Sequence, residues 1–86
     1  MPDFAIIESS STALMRATLS TLSESERGGI QDYIDVGEYG LALKTAVAIY
    51  TEEEKEAPLE VVNMVVNLAR LISIDPEPFL KRLRSK

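Results

Sequence analysis

Residues 37–50 read GEYGLALKTAVAIY, and they are the most informative part of the sequence for predicting the fold. Lys44 carries the only charge between Leu41 and Tyr50. The pattern predicts a helix from about Glu38 to about Glu53 that is buried on most of its circumference and forms the centre of the fold. Gly37, directly before it, is suited to the left-handed conformation that ends a preceding helix.

Two shorter helices are predicted upstream of this stretch. Ser23 and Glu26 have the spacing of a capping box, which predicts a second helix before Gly37. The adjacent glycines at 28 and 29 cost about 1 kcal/mol each inside a helix, so we expect a frayed turn or loop there and a helix start nearer Ile30. The hydroxyl cluster at residues 9–12 predicts the start of the first helix, and residues 1–8 are expected to form a flexible N-terminal segment.

Two more helices are predicted downstream, after a polar connector at residues 51–57. Pro58 suits the first position of a helix that runs to about Ser73, because its missing amide hydrogen costs nothing there. Apolar residues three and four apart favour a helix over a strand despite the many valines. Asp75 and Pro76 are expected to open a short fifth helix. The fold predicted for residues 1–86 is a single all-α domain, a compact bundle of four to five short helices.

The composition excludes several functions. The 86 residues contain no histidine and no cysteine, which removes disulfides, the usual zinc sites and the common nucleophilic triads. Through Glu60 there are 12 acidic and 4 basic residues, a net charge of −8, whereas the remainder carries +3. DNA would be repelled by the first part, and the basic residues near the end are interpreted as a solvated helix terminus. We therefore expect no nucleic-acid partner.

Candidate chemistry is sparse. Asp32, Asp35 and Glu38 are the only grouped acids that could serve acid–base catalysis, and nothing in the sequence suggests the dry cleft that such chemistry needs. The glutamates at 52–54 and 56 lack the alternation and the glycine of a calcium loop. We expect no enzyme activity, no metal and no cofactor. The start of the chain lacks signal-peptide features and no stretch is apolar enough to span a membrane, so a cytoplasmic location without membrane contact is expected.

The same acids and two tyrosines are the candidates for partner binding. Tyrosine beside charge is typical of interfaces, although a core tyrosine with its hydroxyl at the rim is an equal alternative, and a solvated acidic edge is the alternative for the acids. The candidate residues are Asp32, Tyr33, Asp35, Glu38, Tyr39, Glu52, Glu53, Glu54 and Glu56.

Residues 34–43, IDVGEYGLAL, resemble the turn of MafI-type immunity proteins. The layout from about Leu22 to Leu83 is also similar: a Leu-Ser-x-x-Glu helix start, the turn, an acidic connector, a Pro-led helix and a final helix opened by Asp-Pro. The glycine pair at 28 and 29 departs from that pattern. The resemblance implies a small protein that binds and neutralises a cognate secreted bacterial toxin, often a nuclease, in the cytoplasm. It supplies no catalytic residues.

An acidic helical domain fits such a role, because it could occupy or flank the basic cleft of a nuclease. The expected partner is therefore a protein toxin with a basic surface, bound by a monomer or a homodimer. The alternative is a small helical adaptor or regulatory module that self-associates through apolar surface on the third and fourth helices.

Overall fold

The computed structural model describes residues 4–84, and every regular element in that range is an α-helix. The five helices are α1 (Phe4–Ala17), α2 (Glu24–Asp35), α3 (Tyr39–Glu52), α4 (Leu59–Leu71) and α5 (Glu77–Arg84). The predicted all-α bundle of four to five short helices is confirmed. The radius of gyration is 11.7 Å, close to the ~12 Å expected for a compact chain of this length.

Helix α3 lies at the centre and packs against α2, α4 and α5. Its residues Ala42, Leu43, Ala46 and Val47 have no exposed surface. Small alanines alternate with larger side chains on this helix, and small side chains allow neighbouring helices to pack closely. The predicted position of this helix is confirmed, and its bounds differ from the prediction by one residue at each end.

The other helices complete one shared core around α3. Helices α2 and α3 form an antiparallel hairpin joined by residues 36–38. Helix α1 packs mainly against α4, where the Asn67 amide donates to the Ser10 hydroxyl at 3.2 Å. Helix α5 closes the bundle by packing on α3 and α4.

The first helix begins earlier than predicted. It starts at Phe4 rather than in the hydroxyl cluster at residues 9–12, so residues 4–8 are helical and only residues 1–3 of the proposed flexible segment lie outside the described residues. The physical reason is that the Ile7 side chain is buried in the core, and this burial stabilises the helical conformation of the residues around it. Ser11, taken as part of a cap, is buried mid-helix, and its hydroxyl donates to the Ile7 carbonyl at 2.8 Å.

The second helix contains the glycine pair, and the expectation of a frayed turn or loop there was wrong. The capping box itself is confirmed: the Glu26 N–H donates to the Ser23 hydroxyl at 3.1 Å, and the Ser23 N–H donates to the Glu26 carboxylate at 2.8 Å. This box places the helix start at Glu24, ahead of the glycines. The fully buried Ile30 holds the middle of the helix against the core and offsets the cost of the glycines.

The fourth and fifth helices follow the prediction closely. Val61, Val65 and Leu68 are all buried on one face of α4, as the helical spacing requires. Pro58 lies at the N-cap, one position before its predicted place. The Asp75 carboxylate accepts the N–H of Glu77, the first residue of α5, at 3.0 Å, so it caps the helix start as predicted. Pro76 lies one position before its predicted place.

Three of the helices end in the same way. After each of α2, α3 and α4, one residue adopts the left-handed backbone conformation. The φ angles are 77° at Gly37, 53° at Glu54 and 61° at Ser73. In each case the next N–H donates back to the carbonyl five residues earlier, at 2.8–2.9 Å. This is the Schellman arrangement, in which glycine is the favoured left-handed residue. The sequence indicated it only at Gly37, since serine and glutamate give no such signal.

Substitutions at two of these positions should change stability in opposite directions. We expect Gly37→Ala to lower the free energy of unfolding by about 1 kcal/mol, because a Cβ disfavours the left-handed conformation. Ser73→Gly relieves that cost and should raise the free energy of unfolding by about 0.5–1 kcal/mol. Urea unfolding followed by circular dichroism measures both.

Gly28→Ala is the matched control for these variants. Gly28 is helical, and a Cβ there would meet nothing within 4 Å, so this change should stabilise the protein by about 0.5–1 kcal/mol. Equal effects of Gly37→Ala and Gly28→Ala would contradict the left-handed assignment at Gly37.

Candidate partner-binding site

The turn between α2 and α3 carries the first group of predicted site residues. The left-handed Gly37 lets the Glu38 N–H reach the Tyr33 carbonyl at 2.8 Å, so α2 ends and α3 begins within three residues. The last turn of α2 and the first turn of α3 therefore lie side by side at one end of the molecule.

The predicted residues of this group differ in how accessible they are. Asp32, Asp35 and Glu38 are exposed, and Tyr33 is 37% exposed. Tyr39 is half-buried and packs against the core, which is the core alternative that the sequence left open. The turn thus brings three carboxylates and one aromatic ring to the same end of the hairpin.

The local contacts leave much of this charge available to a partner. The Gln31 amide donates to one Asp35 oxygen at 2.8 Å across one helical turn. Glu38 is the N-cap residue of α3, yet its side chain makes no capping hydrogen bond. The fold therefore does not use the Glu38 carboxylate to begin the central helix.

Exposed apolar side chains lie among these acids, and the sequence interpretation missed two of them. Val36 is 72% exposed and Leu41 is 43% exposed, although Leu41 was placed in the buried stretch. Val36 is the C-cap residue before a left-handed glycine, where the chain turns away from the core, and that position was an available signal. We call this group the turn surface: Asp32, Tyr33, Asp35, Val36, Glu38 and Leu41.

Two more acids lie at the same end of the molecule. Gly40 is so close to Ile74 that a Cβ on the glycine would lie 3.3 Å from the Ile74 Cδ1 atom. This contact brings the segment that follows α4 to the start of α3, and with it the exposed Asp75 and Glu77. The sequence interpretation counted both within a basic C-terminal part, because charge along the chain does not show which ends meet in space.

The second predicted group, Glu52, Glu53, Glu54 and Glu56, lies at the opposite end of α3. Helix α3 has 14 residues, which corresponds to about 21 Å. We call these four glutamates the connector acids. The acids predicted to bind a partner are therefore divided into two groups separated by the length of the central helix.

The connector acids lie near basic side chains, unlike the turn surface. A shallow groove is lined by Glu56, Ala57 and Leu59 on one side and by Leu83 and Arg84 on the other, which places the basic end of α5 beside the connector. Lys55 lies within the connector itself. At the turn surface the nearest base along the chain is Lys44, one turn into α3. No salt bridge to Asp32, Asp35 or Glu38 is found within the described residues.

A polar cluster holds the connector against the start of α2. The Lys55 ammonium donates to the Glu26 carboxylate at 2.8 Å and to the Thr21 carbonyl at 3.0 Å. The Thr21 hydroxyl also bonds the hydroxyl of the buried Tyr50. The hydrogen bond from Lys55 and the capping bond from Ser23 lower the pKa of Glu26, while burial raises the pKa of Tyr50. Through Lys55, this cluster fixes the connector to the residues around the start of α2.

The apolar faces of α3 and α4, proposed for self-association, are mostly used by the core. Leu43 and Val47 on α3 and Val61 and Val65 on α4 are buried. Among the large apolar side chains of these two helices, the exposed ones are Leu41 and Leu59.

No group of three or more acidic side chains in the described range could hold a metal ion, and no helix there is long and apolar enough to cross a membrane. Comparison of the chain with protein-family models, with curated proteins and with solved structures finds no match.

The ion pair at the connector should make stability depend on pH. Glu26→Gln keeps an acceptor for the capping box but removes the charge that pairs with Lys55. The pKa of Glu26 is below its ordinary value of 4.5, so its stabilising effect is present above that value and is lost as the pH falls through the lowered pKa. The variant should be less stable than the wild type at neutral pH, and the difference should shrink in acid.

Urea midpoints measured from about pH 7 to about pH 3 test this expectation. Glu24→Gln is the control, since it removes a charge from the same turn of α2 without an ion pair to Lys55. If the two variants lost stability in parallel at every pH, the lowered pKa of Glu26 would not be contributing to folding.

Proposed function

We propose that this protein binds and neutralises a cognate secreted bacterial toxin that presents a basic surface, and that it does so in the cytoplasm as an immunity protein. The observation that carries the proposal is the turn surface, where exposed apolar side chains lie among acids that form no salt bridge within the described residues. An apolar centre with a charged rim is the usual anatomy of a specific protein interface. The resemblance of residues 34–43 to MafI-type immunity proteins supports the same function.

A nuclease is the toxin class that fits this surface best. Nucleases hold phosphates with lysine and arginine, and such a surface is complementary to the five acids gathered at this end: Asp32, Asp35, Glu38, Asp75 and Glu77. Complementary charge accelerates association, which is useful when a toxin must be captured before it acts. The adaptor alternative has less support, because most apolar surface of α3 and α4 lies in the core.

Neighbouring genes provide the first test. We expect a large secreted protein with a C-terminal toxin domain to be encoded beside this chain. Co-expression of the chain should restore growth to cells that produce that toxin domain, and the two proteins should co-purify. A toxin domain that kills equally well in the presence of this chain would contradict the proposed function.

A pair of charge-reversal variants locates the binding surface. The triple variant Asp32→Lys, Asp35→Lys, Glu38→Lys should lower the association rate constant for the toxin domain about 10- to 100-fold, because it removes the steering field. The matched control is Glu52→Lys, Glu53→Lys, Glu56→Lys, which changes the net charge equally at the other end of α3. This control variant should lower the association rate constant much less. The association rate constant of the wild type should fall as salt is added, because salt screens the steering field.

Surface plasmon resonance measures both rate constants, and thermal unfolding checks that both variants are folded. Equal losses in the two variants would mean that net charge alone matters. A larger loss in the connector variant would move the site to the connector acids.

A further inference from the structure

One side of α2 faces solvent in the part of the chain that the structure describes, residues 4–84. Gly28, Gly29, Asp32 and Val36 lie on this side of the helix, because residues three and four apart share a helical face. All four are exposed. The inward side carries Ile30, which is fully buried, so α2 has one packed face and one open face.

The two glycines on this face are not required by the fold. Neither has the positive φ found at Gly37, and a Cβ at either position would meet nothing within 4 Å. Gly40 differs, since a Cβ there would press on Ile74. Each glycine costs roughly 1 kcal/mol relative to alanine in a helix interior. The protein therefore retains a cost that its own packing does not explain.

What the glycines provide is bare backbone beside apolar and acidic side chains. Without a Cβ, another chain can approach the helix axis more closely than elsewhere. One turn further along are Asp32 and the partly exposed Tyr33, and the next turn ends at Val36, which is 72% exposed. The exposed side of α2 thus carries, in order along the helix, the two glycines, the Asp32 carboxylate, the Tyr33 ring and the Val36 side chain.

The open face of α2 has one base at its edge, because Arg27 borders the same shallow depression as Gly28. Arg27 is the only base in this helix, and it turns toward α1, where its guanidinium donates to the Met15 carbonyl at 3.2 Å and to the Thr18 hydroxyl at 3.3 Å. Asp32 and Asp35 are therefore not balanced by a base of the same helix. A partner with a basic segment would be complementary to this face.

We propose that a basic segment of the toxin lies along the outward face of α2 and crosses its backbone at Gly28 and Gly29. Val36 and Tyr33 provide the apolar anchors, and Asp32 pairs with a cation of the segment. This inference rests on the proposed function and extends the binding site from the turn surface along α2 as far as Gly28.

A steric block tests the crossing point. Gly29→Leu adds bulk to the exposed face and replaces glycine with a strong helix former, so the fold should be at least as stable as the wild type. We expect its affinity for the purified toxin domain encoded beside this chain, measured by isothermal titration calorimetry, to fall at least about tenfold. Gly29→Ala should weaken binding less, because its side chain is smaller.

The control is Asn63→Leu, which adds a leucine at an exposed, uncharged position of α4. Its affinity should equal that of the wild type. If Gly29→Leu bound as tightly as the wild type, the crossing at the glycines would be wrong while the proposed function would stand. If the wild-type chain itself failed to bind the toxin domain, the proposed function would fail and this inference with it.

Nuclear magnetic resonance of the wild-type chain gives a readout that needs no variant. Addition of the toxin domain should shift the amide resonances of Gly28, Gly29 and Val36 and leave that of Asn63 unchanged. Unchanged glycine resonances in a formed complex would overturn the proposed path along α2.

Discussion

The structure depends on the burial of α3 on most sides. Ala42, Leu43, Ala46 and Val47 leave no surface to solvent, and removing apolar area from water is the main favourable term in folding. A helix of this kind requires neighbours on several sides, and α2, α4 and α5 supply them. The remaining helix, α1, packs mainly against α4 and to a smaller extent against α2.

Burial of α3 also explains where the charges lie. A central helix cannot carry carboxylates along its packed length, since a buried charge without a partner is very costly, so acids collect at its two ends. At one end Lys55 and the last turn of α5 lie beside the glutamates, and Glu26 is used in an ion pair. At the other end the short turn at Gly37 presents acids together with Val36 and Leu41. Both ends of α3 are rich in acids, but basic side chains lie beside the acids at one end and exposed apolar side chains lie beside them at the other.

Local patterns predicted the elements of this fold well. The capping box of Ser23 and Glu26, the stop at Gly37 and the cap at Asp75 are short-range hydrogen-bonding arrangements, and each is found where the sequence indicated it. The errors arose where distant contacts override local preference. The serines near residue 10 favour a cap, yet the burial of Ile7 in the core extends α1 to Phe4. Likewise the glycine pair weakens α2 locally, while Ile30 anchors it.

Periodicity, capping chemistry and composition predicted the helical class, the order of the helices, the central place of α3 and the residues that carry the charge. Which charges lie close together was set by the packing of the helices. It separated the connector acids from Asp32, Asp35 and Glu38 by the length of α3, and it brought Asp75 and Glu77 to the turn through the contact of Ile74 with Gly40. The physical reason is that a binding surface is assembled from chain segments far apart in sequence, and the packing that joins them has no local signature.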